Sequence, residues 1–219
     1  MTCHVPGCMR PTTRYGRHCN HHKASQRRHG HPLQKGVTKE DLRPYVRLVE
    51  TRMAKNPQST VWATCEARWA ALAGQAAMIL KRTATGATGR RSEHTAAAQV
   101  VRLAENVEPK TVVVTALAMY LMQDHEPRRF LSDDTFLRQL TRRVVRLTEV
   151  NAGEWFNDAT GRMQRAYREL PPEAADIIAE WIVEALGPVG LHLARLEQRD
   201  QEERQRGKAD FGAALAELS

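Results

Sequence analysis

Residues 112–122, VVVTALAMYLM, decide how the rest of this chain is read. The run holds no charge, and only Thr115 and the Tyr120 hydroxyl interrupt its apolar surface. A helix apolar nearly all round has to be enclosed by other protein, or by lipid. Spanning a bilayer takes roughly 20 such residues, so this stretch is too short. Pro109 suits the first turn of a helix that would carry the run. The expectation is a central buried helix, although residues 112–115 alone would also suit a strand.

Working outward, the neighbouring segments supply the helices that would cover it. Upstream, a helix starting near Ser92 places Ala96, Val100, Leu103 and Val107 on one side. Before it, residues 81–91, KRTATGATGRR, read as a polar, glycine-containing loop. Ser59 opens a helix in which Trp62, Cys65, Trp69, Leu72, Ala76 and Ile79 recur at helical spacing, and Asn56-Pro57 marks the break before it. Thr38, with Glu40 and Asp41 behind it, is an N-cap for a helix with Leu42, Tyr45, Val46, Val49 and Met53 inward; Pro44 is the alternative start.

Downstream, Ser132 caps a helix with Phe136, Leu140, Val144 and Leu147 inward, ended by Asn151-Ala152-Gly153. Its Arg138, Arg142 and Arg146, four residues apart, are expected on a solvated face, with a second nucleic-acid surface as the alternative. A short helix is predicted over residues 159–169, stopped by Pro171-Pro172. Residues 173–186 form an amphipathic helix closed by Gly187, and Pro188 begins a last one. Residues 197–208 are almost wholly charged and polar, so that helix, about 188–208, should project into solvent. Residues 210–218, DFGAALAEL, would make a short amphipathic tail helix. The fold class is therefore all-α: a multi-helix bundle over residues 37–219, preceded by a small N-terminal zinc-binding module over residues 1–36. Composition agrees: of 219 residues 42% are hydrophobic, 26% charged and only 5% aromatic, which suits a soluble helical protein.

Charge is distributed unevenly. Of 33 Lys and Arg, eight fall in residues 1–39 with no Asp or Glu; the other 25 balance all 25 acids, so the net +8 sits in the N-terminal fifth. Six of the nine histidines lie there too. Such polarity is the footprint of a chain that meets a polyanion. No leader-like apolar stretch precedes the cysteines, which suggests a cytoplasmic protein with reduced thiols and no membrane partner.

Three of the four cysteines fall in CHVPGCMRPTTRYGRHCNHH, residues 3–22, spaced C-x4-C and C-x2-H. Two short-range pairs joined by a turn bring four deprotonatable ligands together at little entropic cost. Cys3, Cys8, Cys19 and His22 are expected to hold one structural Zn2+, with His21 or His18 as alternatives to His22. Pro6-Gly7 would bend the first pair, and Gly16 the approach to the second. Metal binding can supply about 10–16 kcal/mol of folding free energy to a segment with no core of its own. Three thiolates and one Zn2+ add a charge of about −1, so the segment stays strongly basic.

The run C-x4-C-x-R-P, then G-x-x-C-x-x-H, then R-R-H-G-x-P, resembles a short zinc finger of the HNH-associated, treble-clef-like type. Such fingers stand at the start of bacteriophage and other mobile-element proteins. The matching residues are Cys3, Cys8, Arg10, Pro11, Gly16, Cys19, His22, Arg27, Arg28, His29, Gly30 and Pro32. Lys23, Ser25-Gln26 and His31 stand where the family often has an aromatic, a tryptophan and an aspartate. The resemblance covers about the first 33 residues, and it implies nucleic-acid association. Arg14, Arg17, Lys23, Arg27, Arg28 and Lys35 would then contact phosphates, of double-stranded DNA above all, in part from a short helix after the ligands.

No catalytic constellation stands beside this module. An HNH nuclease would need a further His, Asn, His set, and beyond residue 31 only His94, His125 and His192 remain, far apart. Asp124-His125-Glu126 reads as a helix end, and Cys65 between two tryptophans as core. Lys81, Arg82, Arg90 and Arg91 form an accessory basic loop. The expectation is a non-enzymatic DNA-binding protein acting in regulation, replication or packaging, its helical body dimerising or engaging a protein partner. The competing readings are a protein–protein adaptor and an accessory subunit of a nuclease or recombinase.

Overall fold

The computed structural model describes residues 1–148, 152–167 and 169–217. Along the chain these form α1 (Asn20–His29), α2 (Lys39–Lys55), α3 (Thr60–Ala84), α4 (Arg91–Asn106), α5 (Pro109–His125), α6 (Asp133–Val145), the strands β1 (Ala152–Asn157) and β2 (Arg162–Tyr167), and α7 (Pro172–Glu217). It is an all-α bundle carrying one small hairpin.

Helix α5 is the axis. Pro109 sits in its first turn, and every residue from Val112 to Met122 is buried. Helices α2, α3, α6 and α7 pack around it, while α4 lies against α3 and α7. The apolar stripes expected on those helices meet here: Val49, Cys65, Trp69, Ala76, Leu103, Leu140 and Ile182 are all essentially inaccessible. Capping boxes start two of the helices. The Thr38 hydroxyl accepts from the Asp41 amide while the Asp41 carboxylate accepts from the Thr38 amide, so α2 begins at Lys39 and Pro44 lies within it. Ser132 and Thr135 do the same for α6.

Four expectations are corrected. The short helix over residues 159–169 is instead part of an antiparallel hairpin, paired from Ala152↔Tyr167 to Asn157↔Arg162. Turn chemistry decided it. The Asn157 carbonyl accepts from the amides of Thr160 and Gly161, its Oδ1 accepts from Ala159 N, and Gly161 takes φ +62°. Consequently Ala152 and Gly153 open a strand rather than ending α6, which stops at Val145; Asn151 lies outside the described residues.

The second correction concerns α7, which runs unbroken through Gly187 and Pro188. Gly187 and Gly190 are there for packing: a Cβ at 190 would overlap the ring of Tyr120, and one at 187 would lie 3.1 Å from its hydroxyl. Pro188 can donate no amide hydrogen bond, and nearby the Ala185 carbonyl accepts from Arg68 Nη1 at 3.4 Å. At 46 residues the helix is about 69 Å long. Residues 201–211 stand exposed as expected, and the tail continues the same helix to Glu217. Glu197, expected in solvent, is buried under Arg52, whose Nε donates to it at 2.6 Å. By length and composition α7 also contains one window apolar enough to cross a membrane, of which 44% is buried inside the bundle.

Third, the loop expected over residues 81–91 is shorter, since α3 persists to Ala84. Fourth, the arginines of α6 are not a solvated face. Arg138, Arg142 and Arg146 have side chains only 16%, 15% and 24% exposed, and each is ion-paired with a carboxylate.

Candidate metal centre and basic surface

The first nineteen residues make one tight knot. Backbone bonds from Cys3 N to the Arg10 carbonyl (3.0 Å) and from His4 N to the Arg17 carbonyl (2.9 Å) draw three extended pieces together. Cys8 N closes back on the Val5 carbonyl at 3.0 Å, with Gly7 at φ +77°, so Pro6-Gly7 does turn the first pair. A second turn, Gly16 N to the Thr13 carbonyl at 2.9 Å, leads to Cys19. Cys19 is the N-cap of α1, which puts His22 three residues on, in the first turn and on the same face.

The result is a cluster. The candidate ligand atoms of Cys3, Cys8, Cys19 and His22 all lie within 4.8 Å of one another, a group that could hold a metal ion and is consistent with zinc. His22 Nδ1 is 3.3 Å from Cys3 Sγ and 3.4 Å from Cys19 Sγ, and Cys8 Sγ is 4.0 Å from Cys19 Sγ. Ligands about 2.0–2.3 Å from a central ion in tetrahedral array would be separated by roughly 3.3–3.8 Å, close to these edges. The alternative histidines are placed elsewhere. His18 Nδ1 pairs with Gln26 Oε1 at 3.2 Å, and His21 is exposed with its ring edge-on to His22.

The protein also prepares the sulfurs electrostatically. Burial works to raise the Cys3 thiol, but hydrogen bonds from the Cys19 and Val5 backbone and from His22 outweigh it and bring it down to about 6. The Cys19 amide donates to Cys3 Sγ at 3.3 Å. Cys8 moves the other way: an Arg10 backbone bond favours its thiolate, but burial and the crowding of Cys3 and Cys19 raise it. Neighbouring thiolates repel until a cation sits among them. Only Cys3, Val5 and Cys19 form the buried apolar centre of this region, and two of those are candidate ligands.

Around the knot the expected phosphate contacts separate into two kinds. Arg14, Arg17, Arg27, Arg28 and Lys35 are exposed, with Arg14 lying 5.5 Å over the Tyr15 ring. Lys23 is partly covered, and its Nζ donates to Thr13 Oγ1 at 2.8 Å, so it closes the ligand loop. Helix α1 has no acidic residue in its first turn, ends in Arg27, Arg28 and His29, and stops at Gly30, whose φ of +83° lets the chain turn against α6.

The segment that follows is stitched to the bundle by two buried glutamines. Gln139 Nε2 donates to His29 Nδ1 at 2.9 Å, and its Oε1 accepts from Val37 N at 2.9 Å. Gln34 donates to the Arg129 carbonyl and accepts from Leu131 N, and Arg129 donates to the Gly36 carbonyl. Nothing local in the sequence marked this seam. Arg138, Arg142 and Arg146 were read as a solvated face ahead of a second nucleic-acid surface: their four-residue spacing was visible, but not that Arg27 and Arg28 would line the same cavity.

Elsewhere, Cys65 is core, its thiol pushed up by burial, and the Glu126 carboxylate is taken by the Tyr45 hydroxyl at 2.6 Å. No family model matches this chain, and no curated protein or solved structure matches it.

Proposed function

We propose that this is a zinc-dependent, non-enzymatic nucleic-acid-binding protein, directed at double-stranded DNA through its N-terminal module. The observation that carries the reading is electrostatic. Eight cations and no carboxylate occupy residues 1–39, and five of the six expected contact residues are exposed. A surface that merely faced water would mix signs; one that neutralises phosphates does not. The Cys3His donor set is that of structural zinc sites, closed to substrate, so the ion holds the fold and the arginines do the binding. The finger type that residues 1–33 resemble adds a nucleic-acid association and a bacteriophage or mobile-element setting.

Helix α7 favours a second role for the body. Its exposed residues 201–211 and the exposed Phe211 offer a surface to a second copy or a protein partner. An adaptor that binds proteins alone would use that surface and leave the N-terminal cations idle.

The test is fluorescence anisotropy of labelled duplex DNA against the intact protein across a salt series, with and without prior zinc removal. Saturable binding that needs zinc is expected. Its log–log salt slope should be about −4.5 if five phosphates are contacted, at roughly −0.9 per phosphate. Absence of binding at low salt, from protein holding one zinc per chain, would refute the DNA reading.

A further inference from the structure

Arg27 and Arg28 at the end of α1 line one cavity of about 40 Å³ together with Arg138 and Arg142 of α6, Arg146 at its C-cap, and Glu169, which stands just before α7. Glu169 is the one carboxylate-bearing residue among the described residues that line it. That carboxylate is already shared, at 3.1 Å from Arg142 and 2.9 Å from Arg146. Arg138 turns partly away, to Asp176 at 3.0 Å and Asp134 at 3.8 Å. Arg27 and Arg28 are exposed and in no ion pair among the described residues.

Two neighbours register the resulting field. His29 is held down to about 4, first by burial and then by Arg142, with Arg28 and Arg146 adding to it against Glu169. Arg142 comes down to about 10: burial leads, Glu169 opposes it, and Arg146, Arg28 and Arg143 repel it. Arg27 and Arg28 add two cations without an ion pair among the described residues to this half-covered cluster, a combination that an anion between the two helices would stabilise.

The donors select the anion. Guanidinium forks from two helices present several N–H groups in fixed planes, which suits a tetrahedral oxyanion with many lone pairs. The path leads onward as well. A second cavity, about 590 Å³, shares Glu169 and Leu170 with the first and is lined by Arg91, His94 and Arg102 of α4.

We infer that the cleft between α1 and α6 is a phosphate-binding site, seating one phosphate group of a strand that runs from the N-terminal module toward the start of α4. The source of the phosphate rests on the nucleic-acid reading above; the anion chemistry of the cleft does not.

Inorganic phosphate is the first probe, titrated at constant ionic strength against chloride while the melting temperature of the zinc-loaded protein is followed. Two double variants accompany the wild type: Arg27→Gln with Arg28→Gln, whose side chains are exposed, and Arg142→Gln with Arg146→Gln, with helicity checked by circular dichroism. A saturable, phosphate-specific rise in melting temperature is expected for the wild type and its loss in both variants. Duplex affinity of the second variant should fall about tenfold, and its salt slope by about 1–2.

A wild type that responds equally to phosphate and chloride overturns the site. So does a well-folded R142Q/R146Q protein that binds DNA like the wild type, and in that case loss of binding on neutralising Arg14 and Arg17 would leave the DNA reading standing. Phosphate binding without any duplex binding keeps the site, assigns it to a small phosphate compound, and overturns the nucleic-acid source.

Discussion

The knot at the N-terminus and the bundle behind it solve the folding problem in opposite ways. In the bundle, one helix buries eleven consecutive residues and its neighbours bury the stripes that face it. In the knot, three small side chains are buried and two of them are candidate metal ligands. Burial of apolar area at ~25 cal/mol per Å² can hold the first and not the second. The difference explains where charge can collect. A region centred on four candidate ligand atoms rather than on an apolar core can give the rest of its surface to arginine, and α1, with no buried residue at all, does so.

Metal removal should break the comparison most visibly. Cys3→Ser or Cys19→Ser removes a ligand from a site whose binding can amount to about 10–16 kcal/mol of folding free energy. The expected result is metal content falling from one ion per chain to none, with duplex binding lost. The helical signal should hardly change, because α1 supplies only 10 of the helical residues. Elemental analysis, circular dichroism and anisotropy on one sample check this. A collapse of the whole helical signal would mean that the bundle also depends on the metal.

The converse change strikes the bundle and spares the knot. Leu117 and Leu121 are fully buried in α5. Truncating either to alanine should cost about 3–5 kcal/mol, through lost transfer free energy and the cavity left behind. Denaturant unfolding should show it as a lower midpoint, with one metal ion still bound per chain.

The same contrast governs what the sequence made legible. Helices α2 to α6 were readable because each needs an apolar stripe, or in α5 an unbroken apolar run, and a start signal such as Thr38 with Asp41, Pro109 or Ser132, all of them local. The cluster of Cys3, Cys8, Cys19 and His22 was readable because Cys/His pair spacing is local too. What failed was set by partners distant in sequence. Gly187-Pro188 has the form of a helix stop, yet the glycines are small because Tyr120, some seventy residues earlier, presses against them. Arg142 and Arg146 have the spacing of a solvated stripe, yet Glu169 covers them. Glu197 sits in a charged run, yet Arg52 holds it under the surface. The hairpin was the exception, since Asn157 and Gly161 are local turn signals that helical bias overrode.

The seam between knot and bundle is testable by a smaller perturbation. Gln139 is fully buried and uses both ends of its amide, one toward Val37 and one toward His29. Gln139→Leu keeps the volume and strands the Val37 amide. The expected cost is about 1–3 kcal/mol, the penalty of leaving a buried donor unsatisfied. Limited proteolysis should begin to cut residues 30–37 in the variant while metal content stays at one. Unchanged resistance there would mean that Gln34 and Arg129 hold the seam without it.

Protonation gives the smallest handle on the same seam. Because Gln139 Oε1 accepts from Val37 N, its amide hydrogens point at His29 Nδ1, which must therefore be an acceptor on a neutral ring. Burial leads, and Arg142, Arg28 and Arg146 add to the effect against Glu169, holding this histidine down to about 4, against 6.5 for the free side chain. Between those values the unfolded chain binds the extra proton and the folded one does not. Stability should therefore be complete above pH 6.5 and decline as pH falls toward 4. Partial exposure reduces the effect to about 1 kcal/mol. Cysteine ligands also take up protons in that range, so the informative quantity is the difference between the wild type and His29→Gln. The variant should lack this component, and the two unfolding midpoints should converge as pH drops from 6.5 to 4. A constant gap across that range would show that His29 titrates alike in both states, and that the arginine field does not reach the seam.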